Sequence, residues 1–291
     1  MDEKALLAAI TKCGWKGAWE EQVNGLLSKL SLLERTGRYG KLLANLEGAN
    51  DKNNFTASVL EATTAFQFER MGIELQYEIR QDVEDESSID FSWKTKSGKI
   101  VYIEVRLLQQ DKATADSISS QIDAQNVYAI SKDGDDERQD IIRVQRVALE
   151  KVQKKDGSPT KFLTVHQDAI NLVAVDISQI ILGAFDVDDC KLVTLGDPSV
   201  SEINRRGVFG LFQDTQPAYP TLIQSLAHSF DHIKKTLHGV LFLFRLPKTE
   251  LFNFSVERFL AWNPSLIKED TAREICKEIE TALPLLRKRG H

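Results

Sequence analysis

An α/β fold, a mixed central β-sheet flanked by helices, is what this sequence predicts, and three observations predict it. Two runs rich in β-branched and aromatic residues, 87–93 and 99–106, are separated by the polar turn Lys96-Ser97-Gly98, the pattern of a hairpin. Residues 169–176 and 239–245 are apolar enough for buried strands. Each of these follows a stretch with helical periodicity, and a meander followed by strand–helix–strand connections gives a mixed sheet.

The remaining elements follow in order. Residues 1–50 read as a helical extension, with helices over 4–10, 18–33 and 40–46. Val23, Leu26, Leu27, Leu30 and Leu33 recur at three- and four-residue spacing, and Trp15 and Trp19 flank the start of that helix as core candidates. A helix over 55–71 ends at Gly72 in a C′ position; Val59, Ala62, Thr63, Phe66 and Met71 can face its core side, and Glu61 lies beside that face. Residues 72–79 alternate apolar and polar like a half-buried strand, and the acidic run 82–86 reads as a solvated loop.

After the hairpin, 107–125 is polar and partly helical around 116–122. A helix over 136–155 carries Ile141, Val144, Ala148 and Val152 as its buried stripe, with acidic residues at its start and lysines at its end to suit the dipole. Gly157 and Pro159 break it. A short strand over 192–195, a loop-rich insertion over 196–220, a helix over 221–237, an edge strand over 252–259 and a terminal helix over 271–283 complete the chain. The organisation is a helical extension, 1–50, on an α/β domain, 51–291.

Composition sets bounds on function. The chain has 291 residues, 42% hydrophobic and 27% charged, ordinary for a globular protein with a sizeable core. No apolar run approaches the roughly 20 residues of a membrane span, and Met1-Asp2-Glu3-Lys4 opens no secretory signal. Cys13, Cys190 and Cys276 match no zinc spacing and read as reduced thiols, which points to the cytoplasm. The net charge of -6 does not advertise a nucleic-acid binder. Locally, however, Arg138, Arg143, Arg146, Lys151, Lys154, Lys155 and Lys161 outnumber Asp140, Glu150 and Asp156, enough for phosphate contacts if they share a face. His228 and His232 lie i,i+4 but lack the Glu of HExxH, so a solvent-facing or packed pair is the reading; P-loop, G-x-G-x-x-G and G-x-S-x-G patterns are absent.

Two carboxylates stand where strands want apolar residues: Asp90 between Ile89 and Phe91, and Glu104 between Ile103 and Val105. Burying a carboxylate unpaired is expensive, so both call for a cation or a basic partner. Alternation puts Tyr102, Glu104 and Arg106 on one face, and a neighbouring strand about 4.8 Å away brings Asp90 close to Glu104. Two such carboxylates, the Val105 carbonyl and waters fit the coordination of Mg²⁺ or Mn²⁺. A metal of that kind lowers the pKa of a bound water and stabilises charge on a phosphate.

This arrangement resembles the PD-(D/E)XK, or restriction-endonuclease-like, nuclease superfamily. The resemblance covers Glu61 on a helix, Asp90, and Glu104-Val105-Arg106, followed by the helix over 136–155 and the strand over 170–176; the layout over 55–245 resembles bacterial members. It implies a restriction-endonuclease-like core and metal-dependent hydrolysis of DNA, with RNA left open as substrate. Asp90, Glu104 and the Val105 carbonyl would hold the metal, Glu61 would assist metal or water, and the last catalytic position falls on Arg106. Ile89 stands where the motif has Pro, and Arg106 where it has Lys. An arginine stays protonated and cannot be a general base, though it can clamp a phosphate; Lys94 and Lys112 are candidate substitutes, and an Arg106 ion pair with Glu104 or Asp90 is the plain structural alternative. The other functional reading is a catalytically impaired nuclease-like fold that binds nucleic acid or protein, with a homodimer left open and no membrane.

Overall fold

Six strands form one sheet in the order in which they occur, β1 (Gln76–Ile79), β2 (Ile89–Lys94), β3 (Ile100–Leu107), β4 (Ala169–Asp176), β5 (Gly239–Leu246) and β6 (Ser255–Trp262). The computed structural model describes residues 1–15, 20–81, 87–109, 116–117, 120–121, 124, 134–154, 156–162, 168–178, 180, 185–196, 207–210, 231–246 and 254–286. The pairs β1–β2, β2–β3 and β5–β6 are antiparallel, and β3–β4 and β4–β5 parallel. The predicted mixed sheet with helices on both sides is therefore what the chain builds. In the β2–β3 hairpin the Gly98 amide donates to the Thr95 carbonyl at 2.9 Å. Gly98 has φ +92, the left-handed conformation that glycine adopts without penalty.

Two successive parallel crossovers run in one direction, and the right-handed rule for such crossovers puts the helices of both on the same face. The crossovers contain α5 (Gly134–Val152), then α6 (Val187–Thr194), α7 (Gly207–Gly210) and α8 (Asp231–Thr236). Val144, Ala148, Val152, Val193 and Ile233 from these helices pack with Val173, Val175, Val240 and Phe242 of the sheet. The opposite face is covered by α1 (Glu3–Lys12), α2 (Glu20–Thr36), α3 (Gly40–Gly48), α4 (Lys52–Glu69) and α9 (Glu269–Ala282). Their apolar side chains form one cluster with Phe91, Trp93, Val101, Ile103, Leu172 and Leu241. Every residue of β4 is buried, as a strand with parallel neighbours and two covered faces should be.

The helix α4 is fixed at both ends. Asp51 caps it by accepting the Asn53 and Asn54 amides at 2.9 and 2.8 Å. It ends in a Schellman turn, Ile73 N–H to the Phe68 carbonyl at 3.1 Å and Gly72 N–H to the Glu69 carbonyl at 3.0 Å, with Gly72 at φ +77. The Gln67 amide donates to the carbonyls of Val256 and Ala282 and accepts the Val256 amide, tying α4 to β6 and α9. Glu69 accepts from Tyr39 Oη at 2.6 Å and from the Leu75 amide at 3.0 Å.

Some elements differ from expectation, each for a local reason. The run expected as a strand over 192–195 is the end of α6: Asp186 accepts the Asp188 and Asp189 amides while the Asp189 side chain accepts the Asp186 amide, a reciprocal cap that commits the segment to a helix. The first strand is confined to Gln76–Ile79 because the Schellman turn uses up Gly72 and Ile73. Helix α5 stops at Val152, whose carbonyl is taken by the Thr160 and Lys161 amides of the returning chain. The edge strand runs Ser255–Trp262. Of the helix expected over 116–122, residues 116, 117, 120 and 121 are described and helical; most of the helix expected over 221–237 and most of the insertion over 196–220 lie outside the described residues. No helix among the described residues is long and apolar enough to cross a membrane.

Candidate functional site

The sheet opens where β2 and β3 part. Their ladder ends with Phe91 opposite Ile103, whereas β3 stays paired with β4 as far as Leu107 opposite Asp176. Beyond Ile103, Asp90 Oδ2 accepts the Val105 amide at 2.6 Å, so a carboxylate stands where a strand carbonyl would otherwise accept. A cleft of about 140 Å³ lies at this opening. Its lining comes from α4 (Asn53, Asn54, Ala57, Leu60 and Glu61), from Asp90, from Val105, Arg106, Leu107 and Gln109, and from Lys151 of α5. Glu61 and Lys151 thus reach one opening from helices on opposite faces of the sheet.

Electrostatics bind these groups together. Glu104 is 1% exposed, and Lys151 Nζ donates to its Oε1 at 2.6 Å while Lys161 Nζ stands 3.3 Å from its Oε2. That second oxygen is buried and has the ionic contact but no hydrogen bond. Glu61 accepts from the Tyr77 hydroxyl at 2.9 Å. Burial pushes the Glu61 carboxyl up to about 7; the Tyr77 bond and Lys151 pull it down, and Glu104 and Glu78 push it further up. Asp90 is held well above the usual carboxylate range, by burial first and then by Glu104 and Glu61, against Lys151 and the Val105 amide. Glu61, Asp90 and Glu104 therefore act on one another, with Lys151 as their shared cation.

Backbone conformation singles out the same place. Among the described residues, the non-glycine positions with positive φ are Glu78, at +49, and Phe162, at +54. Glu78 follows Tyr77, the donor to Glu61, and Phe162 follows Lys161, the cation beside Glu104. A buried aromatic in this region is a genuine outlier, and such strain, on the order of 1–3 kcal/mol, gathers where surroundings over-determine a functional geometry.

No protein-family model matches the chain, and no curated protein matches it. Among solved structures, SfsA of Pyrococcus furiosus, in complex with Ca²⁺, is 12% identical, covers 70% of this chain and has a TM-score of 0.19. The chain spans 60% of the length of that protein. The functional reading rests on the cleft itself.

The candidate site residues Glu61, Asp90, Glu104, Val105 and Arg106 each have a definite place. Glu61, Asp90, Val105 and Arg106 line the cleft, and Glu104 borders it through Lys151. Arg106 is exposed at the mouth and, among the described residues, forms no ion pair with Glu104 or Asp90. Lys94 is exposed and pairs with Ile100 at the opposite end of β3. That puts it about 13 Å from Glu104 at ~3.3 Å per residue, too far to serve the site. Lys112 and His228 lie outside the described residues, and His232 Nε2 donates to the Lys161 carbonyl at 2.9 Å.

Three residues of the site were not expected there as partners of the carboxylates: Lys151 and Lys161, read only as part of a basic stretch for phosphate contacts, and Tyr77. Lys151 had a readable signal. It lies i+3 from Ala148 and i+7 from Val144, at the border of the stripe that α5 turns to the sheet. The basic stretch thus divides, with Lys151 and Lys161 turned in to Glu104 and Arg146 and Lys154 exposed.

Proposed function

We propose that the protein is a metal-dependent nuclease that hydrolyses phosphodiester bonds of DNA, with a core of the PD-(D/E)XK kind, working in the cytoplasm. The observation that carries this reading is the meeting of Glu61, Asp90 and Lys151 in one cleft at the open end of the β2–β3 ladder, with Glu104 bordering it through Lys151. The donor set fits a hard divalent cation. Asp90, Glu104 and the Val105 carbonyl offer a few oxygen ligands, and Mg²⁺ or Mn²⁺ completes such a set with water. Asp90, pressed by its acidic neighbours, offers an oxygen that a cation would satisfy, while Glu104 Oε2, buried without a hydrogen bond, has the ionic contact of Lys161.

When bound, such a cation supplies a water of lowered pKa and offsets charge on the phosphate. Glu61, its carboxyl near about 7 and its orientation fixed by Tyr77, takes up the proton of the attacking water at neutral pH. Arg106 at the mouth donates to the phosphate oxygens, a role that needs permanent charge and no proton acceptance. Lys151 takes the electrostatic part that Arg106 cannot reach from the rim, stabilising charge that develops beside Glu104.

A second reading, a nuclease-like fold that binds nucleic acid or protein without cutting, has its own support. Glu104 is already held by two lysines, and among the described residues no group of three or more His, Cys, Asp or Glu side chains is arranged to hold a metal ion. The experiment that separates the two incubates supercoiled, linear and single-stranded DNA, and RNA, with protein in Mg²⁺, Mn²⁺ or EDTA. Metal-dependent cleavage of DNA that falls 100-fold or more in Asp90→Asn and Glu104→Gln supports the nuclease. Cleavage equal in wild type and variants would sink it. Binding of DNA without cleavage favours the second reading.

A further inference from the structure

We infer that Lys161 is a positioning residue that sets the spacing of Asp90 and Glu104, and with it the affinity of the site for a divalent cation. The inference rests on the reading of these carboxylates as cation ligands, and it concerns what holds them.

Past the last ladder pair, Phe91 opposite Ile103, the strands that carry Asp90 and Glu104 have lost their regular backbone bonds. Two links bridge the gap. One is Asp90 Oδ2 accepting the Val105 amide at 2.6 Å. The other is Lys161, whose Nζ donates to the Ser88 carbonyl at the entry to β2 and lies 3.3 Å from Glu104 Oε2 on β3. A single ammonium therefore spans both strands, touching one carboxylate directly and the backbone just ahead of the other.

The segment that presents Lys161 is held on several sides. It turns back from the end of α5, with Gln153 bridged to Pro159. The Thr160 and Lys161 amides donate to the Val152 carbonyl at 2.8 and 3.2 Å. Ser87 Oγ donates to the Thr160 carbonyl at 3.0 Å, and His232 Nε2 to the Lys161 carbonyl at 2.9 Å. Phe162, buried at φ +54, fixes the exit. This is the over-determined backbone that keeps one side chain in one place. Lys151 differs: it lines the cleft and meets Glu104 through Oε1, whereas Lys161 meets Oε2 and is not among the residues that line the cleft.

The two lysines give opposite responses to removal, which makes the inference testable by metal binding without any activity. Removing a cation beside carboxylates, by charge alone, strengthens the binding of a divalent cation. Removing a residue that holds ligands in place weakens it, typically 10–100-fold. Titration of Mn²⁺ alone into purified protein, followed by electron paramagnetic resonance, is expected to show the dissociation constant of Lys161→Met at least 10-fold above wild type. Lys151→Met is expected to match wild type or bind more tightly. Lys161→Gln, which keeps a donor for the Ser88 carbonyl, is expected between wild type and Lys161→Met, and it carries the test if the methionine variant lacks a cooperative thermal transition. Binding by Lys161→Met and Lys161→Gln as tight as wild type, or tighter, overturns the positioning role and leaves the cation site standing. Failure of wild type itself to bind Mn²⁺ overturns the cation site on which both rest.

Discussion

Glu61 sits on α4 with the Tyr77 hydroxyl donating to it, and with Lys151, Glu104 and Glu78 close enough to act on its charge. Burial outweighs its favourable neighbours and lifts the carboxyl from 4.5 to about 7. A folded-state value above the unfolded one means that the folded protein binds the extra proton. The stabilisation is complete below the unfolded value and is lost as pH rises toward about 7. In EDTA, urea denaturation of wild type is expected to show stability falling between pH 5 and pH 8 by roughly 2 kcal/mol more than in Glu61→Gln, which cannot ionise. The same pH dependence in both proteins would mean that Glu61 is already solvated and ionised at pH 5. At this scale the sequence was partly legible. Asp90 and Glu104 announced themselves because carboxylates interrupt apolar strands, and Glu61 because it adjoins an apolar helical face. Lys161 stood out only as one of a basic stretch, since a lysine on an irregular return after a helix looks like any solvated loop residue until Ser88 and Glu104 are seen around it.

Elements were legible wherever a local pattern matched a single period. Residues 169–176 were expected as a strand and form β4 over the same residues, because a continuous apolar run flanked by polar turns has few other solutions. The misread run at 192–195 shows the limit. Leu192, Val193 and Leu195 make a short apolar run as a strand would, but Asp186, Asp188 and Asp189 upstream supply a cap and a favourable first-turn charge. Cys190, Val193 and Thr194 then fall on one buried helical face. Asp186→Ala is expected to cost about 1 kcal/mol, seen as a lower urea midpoint with an unchanged slope. An unaltered midpoint would show that tertiary packing alone holds α6 in place. The ladder end between β2 and β3 was not legible at all, since hairpin sequences fix the register but not where pairing gives out.

For the whole molecule, the crossover helices and the sheet could be inferred from the chain order, whereas what covers the second face could not. The amphipathic stripe of α2 shows that it packs on something; the partner is set by the three-dimensional arrangement. In the structure, Leu6, Ile10, Val23, Leu26, Leu30, Leu33, Leu42 and Leu46 are each 0–1% exposed and join the same cluster as α4 and the sheet. Lys29 Nζ also donates to the Phe254 carbonyl, linking α2 to the segment before β6. At about 2 kcal/mol for each buried aliphatic side chain, this group contributes on the order of 16 kcal/mol, as much as the whole net stability of a typical domain. A protein reduced to residues 51–291 would also expose the side of α4 that α2 and α3 cover, and α4 carries Glu61. Such a fragment is expected to lose its cooperative thermal transition and to aggregate, where the full chain melts in one step. If it instead melts cooperatively and binds Mn²⁺ like the full chain, the helices over 1–50 are a separable cover, and the core over 51–291 folds without them.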